Sequence, residues 1–306
     1  MPSPAGSSAS APRLLVGHGI SPPVGILRGL LGGRAKAIEH ARRPEALARS
    51  LSRPPLEGLD WLGHRPSARA PLLYRLLLGL GRFVLMRVCA VRLEVQGREN
   101  LPRGGFIAAA ALHRGWVDPL AVILALPVEP RVWFLGSAAT AFSRRWMEWP
   151  LRRTGGILPV WRGGADVAVH VDAARAVVQE GGVLCLFIEG AIVGPPDRVW
   201  PGVRSGAGLL ALRTNVPIVP IALIGGHELY RGRRIALRIL PPTTVAGLLD
   251  DADLPVADTR DELRAARTIV RALAARIDAA LVDLAPLVTD PPTKPRRWRW
   301  LTRLFR

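Results

Sequence analysis

His113 and Asp118 are the residues of this 306-residue chain whose types and spacing best fit proton-transfer chemistry. They bound the run His113-Arg114-Gly115-Trp116-Val117-Asp118, which follows an apolar stretch ending near Leu112 and precedes Pro119. Five residues turn about 500° around a regular helix, so the two side chains do not share a helical face. They meet if His113 sits in a loop and Asp118 at the start of the next helix. The carboxylate then accepts from the imidazole and fixes its tautomer, which leaves the other ring nitrogen to act as a general base. The same residues also fit a plainer pattern. Asp is a favoured helix N-cap, and Pro suits the position behind it.

Three further blocks carry groups suited to a site. Phe187-Ile188-Glu189-Gly190 closes a second apolar run, and a carboxylate followed by Gly at a strand's carboxyl end suits ligand contact or site organisation, or a simple turn. Gly156-Ile157-Leu158-Pro159-Val160-Trp161-Arg162 brings Arg162 to the end of another strand, where it could grip a phosphate bidentately or simply be solvated. Val216-Pro217-Ile218-Val219-Pro220 opens a strand of scaffold character. Cys185 lies inside an apolar strand and reads as a small core residue.

The elements that would hold these groups alternate. VRLEVQG reads as a strand, GGFIAAAAL as a buried strand and PLAVILALP as a short helix. RVWFLGS is a strand, the Trp-rich stretch to Trp149 a helix, and GGILPVWR a strand. A helix over 165–180 leads to the strand VLCLFIE, the helix GAGLLALRTN and the strand VPIVPIALIG. IALRILPP is a late strand, and 260–285 a long amphipathic helix. In that helix Thr259 and Glu262 have capping-box spacing, with Leu263, Val270, Leu273, Ile277, Leu281 and Leu284 on one face. Alternating strands and helices imply an α/β domain with a mostly parallel central sheet flanked by helices.

The N-terminal residues MPSPAGSSASAP are low in complexity and no secretory signal is evident after them. Short helices fit 24–52, and a Pro-bearing linker follows. Residues 72–91 are strongly apolar, but Arg75, Arg82 and Arg87 argue against a plain span, since each Arg at a bilayer centre costs about 2.5–3.5 kcal/mol. The segment reads as a helix in the membrane interface or one packed on the core. The tail KPRRWRWLTRLFR interleaves Arg with Trp and Leu, which suits an anionic membrane surface or a solvated basic end.

The formal charge of +18 calls for an anionic partner, though nearly all of it is Arg, with Lys only at Lys36 and Lys294. It is spread along the chain, and the last sixteen residues hold six basic and no acidic groups. No zinc-finger spacing, basic zipper or aromatic RNA-binding signature accompanies it, so nucleic acid is not the expected partner. Two cysteines exclude a disulfide scaffold and a zinc ribbon.

The four blocks, in this order, resemble the lysophospholipid (1-acyl-glycerol-3-phosphate) acyltransferase family over about residues 70–245. HRGWVD matches its H-x4-D motif, GILPVWR its second block, FIEG its F-P-E-G block and VPIVP its fourth, with RLEVQGRENLP upstream also typical. The resemblance implies a single acyltransferase domain over 71–290, with a variable region at 1–70, an interfacial helix at 72–91 and a basic tail at 291–306. It implies acyl transfer from acyl-CoA or acyl-carrier protein to the hydroxyl of a lysophospholipid. His113 would be the general base and Asp118 its orienting partner. Glu189 and Gly190 would shape the acceptor pocket and Arg162 would pair with a phosphate. No cofactor and no metal are expected, and the enzyme is expected at the cytoplasmic face of a membrane among its lipids.

Departures from the family pattern bear on the acceptor. Ile188, Ala191 and Ile192 stand where F-P-E-G-T-R has Pro, Thr and Arg, and Arg198 or Arg204 are the candidates to replace that Arg. Leu112 stands where many members have Asn, and Gly115 where many have Ser. A family member acting on a glycolipid or aminolipid hydroxyl, or a non-catalytic membrane-binding homologue, are the competing readings.

Overall fold

A computed structural model of the chain describes residues 67–137, 154, 156–160, 167–194, 202–250, 255, 259–290 and 295–303. Apolar runs bounded by Gly and Pro become seven strands: β1 (Arg92–Gln96), β2 (Phe106–Ala111), β3 (Val132–Ser137), β4 (Ile157–Val160), β5 (Val183–Phe187), β6 (Ile218–Ile224) and β7 (Arg234–Ile239). They join one sheet in the order β1-β7-β6-β2-β5-β3-β4. Every neighbouring pair is parallel except β6 and β7, which turn back on each other through 225–233. Parallel pairs need crossover connections, and helices supply them.

β2 lies at the centre and is buried throughout. Its side chains alternate between two apolar layers, as the pleat requires. Ile107, Ala109 and Ala111 face one layer, and Phe106, Ala108 and Ala110 the other. The helices are α1 (Leu72–Phe83), α2 (Val117–Ala125), α3 (Val167–Gln179), α4 (Gly206–Thr214) and α5 (Arg260–Val288). α3, α4 and α5 pack in the first layer; α2 and the end of the α1 segment pack in the second.

The cap expected for α5 forms: the Glu262 N–H donates to Thr259 Oγ1 at 3.2 Å. One expectation for this helix fails. Leu263 is 43 % exposed rather than buried. Its neighbour Glu262 takes the inward position instead, because Arg213 of α4 grips it through Nε and Nη2 at 2.6 and 2.8 Å. The buried stripe therefore runs through Ala266, Ile269 and Val270.

α1 continues as a π-helical turn over Val84–Val88. Tyr74 and Leu85 face inward, while Leu72, Leu76, Leu80, Phe83, Val84 and Val88 form an exposed apolar stripe. Arg75 stays exposed, donating to the Ala70 carbonyl at 3.1 Å and to the Glu129 carboxylate. Among the described residues no helix is long and apolar enough to cross a membrane. The helices expected in 24–52 and before Trp149 lie outside the described residues. In the tail, a 3-10 turn over Arg299–Arg303 buries Leu301 against the domain, which departs from the reading of it as a merely solvated basic end.

Candidate active site

The site forms where β2 and β5 end side by side. Both strands are parallel and in register, with Ala110 opposite Phe187. The loops leaving them therefore start together at one sheet edge. Beyond Ala111, Leu112 turns into the left-handed region at φ 69°. Asn enters this region more easily than Leu, so this turn fits the Asn that the resemblance leads one to expect at the position. Leu112 is held in that conformation from both sides. Its side chain is buried, and its N–H donates to Glu189 Oε1 at 2.7 Å. One residue on, the His113 carbonyl accepts from the Val193 N–H at 2.8 Å. The loops after β2 and β5 are thus stitched together on either side of His113.

Asp118 does not occupy the N-cap. Trp116 does, the helix begins at Val117, and the Asp118 carboxylate reaches backwards into the loop. Its Oδ2 accepts from the Arg114 and Gly115 N–H groups at 2.5 and 2.6 Å, and lies 3.3 Å from His113 Nδ1. An ionised carboxylate can only accept, so Nδ1 carries the hydrogen and Nε2 keeps the lone pair. The imidazole stacks on Phe187, with centroids 4.2 Å apart and planes at 16°. The His113 side chain is 19 % exposed and the Asp118 side chain wholly buried. This makes an accessible base on a buried, pre-set support.

The other oxygen, Asp118 Oδ1, has no hydrogen-bond partner in the structure and faces Gly226, just past the end of β6. A methyl group at Gly226 would lie 1.6 Å from that oxygen. Sequence reading gave no role to Gly226 or to the ring of Phe187. The signals available were a Gly pair closing VPIVPIALIGG and an aromatic residue opening FIEG.

Glu189 is fully buried. Of the roles left open for it, its position favours site organisation, because its bonded oxygen is committed to the Leu112 N–H. Burial pushes this carboxyl above the usual carboxylate range, against the opposing pull of the Leu112 hydrogen bond. An acid raised in this way costs the fold stability as pH climbs past its unfolded value, and costs nothing below that value. Glu189→Gln keeps an acceptor for Leu112 and carries no charge. Its thermal midpoint should match the parent near pH 4 and exceed it at pH 8. Glu189→Ala should be less stable by about 1–3 kcal/mol at both, with Leu112 N–H left unsatisfied. A parent that outlasts Glu189→Gln by more at pH 8 than at pH 4 would reverse this assignment.

Gly190 adopts φ 64°, and a methyl group there would meet Arg204 Cδ at 2.7 Å. The Arg204 N–H donates to the Ile188 carbonyl at 3.0 Å, so its exposed side chain runs across Gly190 beside the site. Ile192 is 57 % exposed on the same loop. The structure thus brings together His113, Asp118, Glu189, Gly190 and Arg204. Arg162 and Arg198 lie outside the described residues, and β4, which leads to Arg162, is the edge strand beyond β3. Cys185 is buried in β5, and burial pushes its thiol well up, which suits core packing rather than nucleophilic chemistry. Among the described residues no group of three His, Cys, Asp or Glu could hold a metal ion.

Comparison with known proteins adds three findings. Residues 92–224 match the profile of a family described as Acyltransferase. A protein of Mycoplasma pneumoniae described as a probable 1-acyl-sn-glycerol-3-phosphate acyltransferase is 25 % identical over 167 residues. That match covers 53 % of this chain and 59 % of the relative's length. The crystal structure of the 1-acyl-sn-glycerophosphate acyltransferase PlsC from Thermotoga maritima superposes with a TM-score of 0.48 at 19 % identity. It covers 69 % of this chain and 80 % of the other.

Proposed function

We propose, for a chain whose residues 92–224 match the Acyltransferase family, that it moves a fatty acyl group from acyl-CoA or acyl-carrier protein to the hydroxyl of a 1-acyl-glycerol-3-phosphate-like lysophospholipid. The observation that carries this reading is the accessible His113 ring held by a buried Asp118 carboxylate. His113 Nε2 takes the proton of the acceptor hydroxyl as that oxygen attacks the thioester carbonyl. The tetrahedral intermediate then collapses, the C–S bond breaks, and the thiolate leaves with the proton returned from Nε2. Asp118 orients the ring and stabilises the imidazolium in between. No acyl-enzyme is required. Arg204, whose side chain runs beside Gly190, would pair with the acceptor's phosphate.

One observation favours a second acceptor class. The exposed Ile192 presents an apolar group where similar sequences have Arg, which suits a glycolipid or aminolipid hydroxyl. The apolar stripe on α1 suits residence at the membrane interface, on the cytoplasmic face, where such lipids lie.

One assay addresses acceptor and location. Purified protein is given anionic vesicles, an acyl donor labelled in its acyl chain (acyl-CoA and, in a parallel arm, acyl-carrier protein) and either lysophosphatidic acid or a neutral or zwitterionic lyso-lipid. Label is expected in a diacyl lipid, with lysophosphatidic acid the preferred acceptor. Preference for an uncharged acceptor would assign the Ile192 loop to the second class, and label in no lipid would overturn the reading. Leu76→Glu with Leu80→Glu should weaken binding to the vesicles, read by co-sedimentation, about a hundredfold or more, since two apolar side chains buried in the interface would contribute about 1.5–3 kcal/mol each. Unchanged co-sedimentation would remove α1 from the membrane contact.

A further inference from the structure

The C-terminal segment 296–303 touches the site from a distance of almost two hundred residues in the chain. Trp116, inside the H-x4-D run, donates its indole N–H to the Leu301 carbonyl at 3.0 Å. Leu301 is buried in the apolar layer that also holds Val117 and Ala121 of α2. The same segment grips the loop between β6 and β7. Thr302 Oγ1 accepts from the Leu229 N–H at 2.9 Å and donates to the Leu229 carbonyl at 3.0 Å. The Arg231 N–H donates to the Arg297 carbonyl at 2.9 Å. Glu228 accepts from Arg296 at 2.7 Å and from Arg299 at 2.5 Å.

These two attachments fall on either side of Asp118. Trp116 directly follows Gly115, whose N–H holds Asp118 Oδ2. The gripped loop carries Gly226, which leaves room for Asp118 Oδ1, and a methyl group on Gly115 would sit 3.2 Å from the Gly226 carbonyl. The loop carrying the base and the loop bounding its carboxylate are in close contact, and one segment is bonded to both.

We infer that residues 296–303 are a brace that positions the His113–Asp118 pair, acting through Trp116 and through the Leu229 loop. The inference rests on the acyltransferase reading for its effect on turnover. The brace lies beyond residues 92–224, which match the family profile. Its outer face keeps Trp298 and Trp300 exposed, which leaves membrane attachment as the competing account of why the tail matters.

The test separates the two. Turnover is measured in full-length protein with a short-chain acyl-CoA and a short-chain lyso-lipid, both monomeric in solution, so that membrane attachment does not enter. Thr302→Ala and Trp116→Phe should each lower kcat roughly tenfold with KM for the donor within about twofold, since small displacements of a catalytic group act on kcat. The double variant should be no worse than the poorer single one, because both changes break one linkage. Far-UV circular dichroism and the thermal midpoint confirm the fold. Independently of turnover, the Trp116 indole N–H resonance, identified by its loss in Trp116→Phe, should shift and exchange faster with water in Thr302→Ala. The His113 ring resonances should move with it. Unchanged resonances, an unchanged kcat in Thr302→Ala, or losses that multiply in the double variant would each overturn the brace. A parent without turnover would instead defeat the acyltransferase reading, and the resonances would still decide the brace.

Discussion

His113→Ala is expected to lower acyl transfer roughly 10²–10⁴-fold while leaving the fold intact, which is the range that a lost general base covers. The site's support does not depend on the imidazole. Asp118 Oδ2 is held by the Arg114 and Gly115 N–H groups, and Leu112 by Glu189, whether or not a ring is present. The loss should therefore be kinetic, with a thermal midpoint within a few degrees of the parent. Asp118→Asn probes the partner separately. Its amide oxygen can keep both loop N–H groups, so the loop should hold, but the imidazolium loses its counter-charge and kcat should fall with little change in KM. Transfer of a labelled acyl chain by each folded variant provides the measurement. Turnover by His113→Ala near the parent value would end the mechanism.

Gly226→Ala should be nearly as damaging, although Gly226 carries no functional group. The added carbon would sit 1.6 Å from Asp118 Oδ1 and 2.8 Å from the carboxyl carbon, so one of the two must move. The carboxylate is fully buried and bonded at its other oxygen, and cannot swing aside as a flexible surface side chain would. Displacement of the orienting carboxylate by about 1 Å can cost on the order of 100-fold in rate. The expected result is a folded protein with kcat reduced on that scale. The Asp118→Asn, Gly226→Ala double variant should fall only slightly further, because both act on one support. A Gly226→Ala enzyme with full turnover would show that Asp118 tolerates displacement and does not set the base.

The sheet was largely legible in the sequence. Apolar runs such as FIAAAA and VLCLF, bounded by Gly and Pro, mark buried strands in a parallel setting, and helical spacing marks α3 and α5. His113, Asp118 and Glu189 were legible for the same reason: polar residues placed where apolar strands end. What escaped depends on contacts between distant segments. The left-handed turn at Leu112 is imposed by Glu189, 77 positions away. The vacancy beside Asp118 comes from Gly226, and Leu263 faces outward because Arg213 draws Glu262 in. The tail showed only its Arg and Trp, both suited to a membrane. The inward contact belongs to Leu301 and Thr302, which composition does not distinguish.

The pairing of β1 has a consequence for how the chain is made. β1 sits at the end of the sheet beside β7, with Arg92 opposite Arg234. At about 5–20 residues per second, roughly ten seconds of synthesis separate the two strands. Throughout that interval β1 and the apolar stripe of α1 have left the ribosome while β1 has no neighbour to pair with. The nascent chain thus exposes this apolar surface early, with its longest-range strand pairing still to come. Whatever holds α1 during those seconds, a chaperone or a lipid surface, decides whether the sheet closes on itself or on another chain.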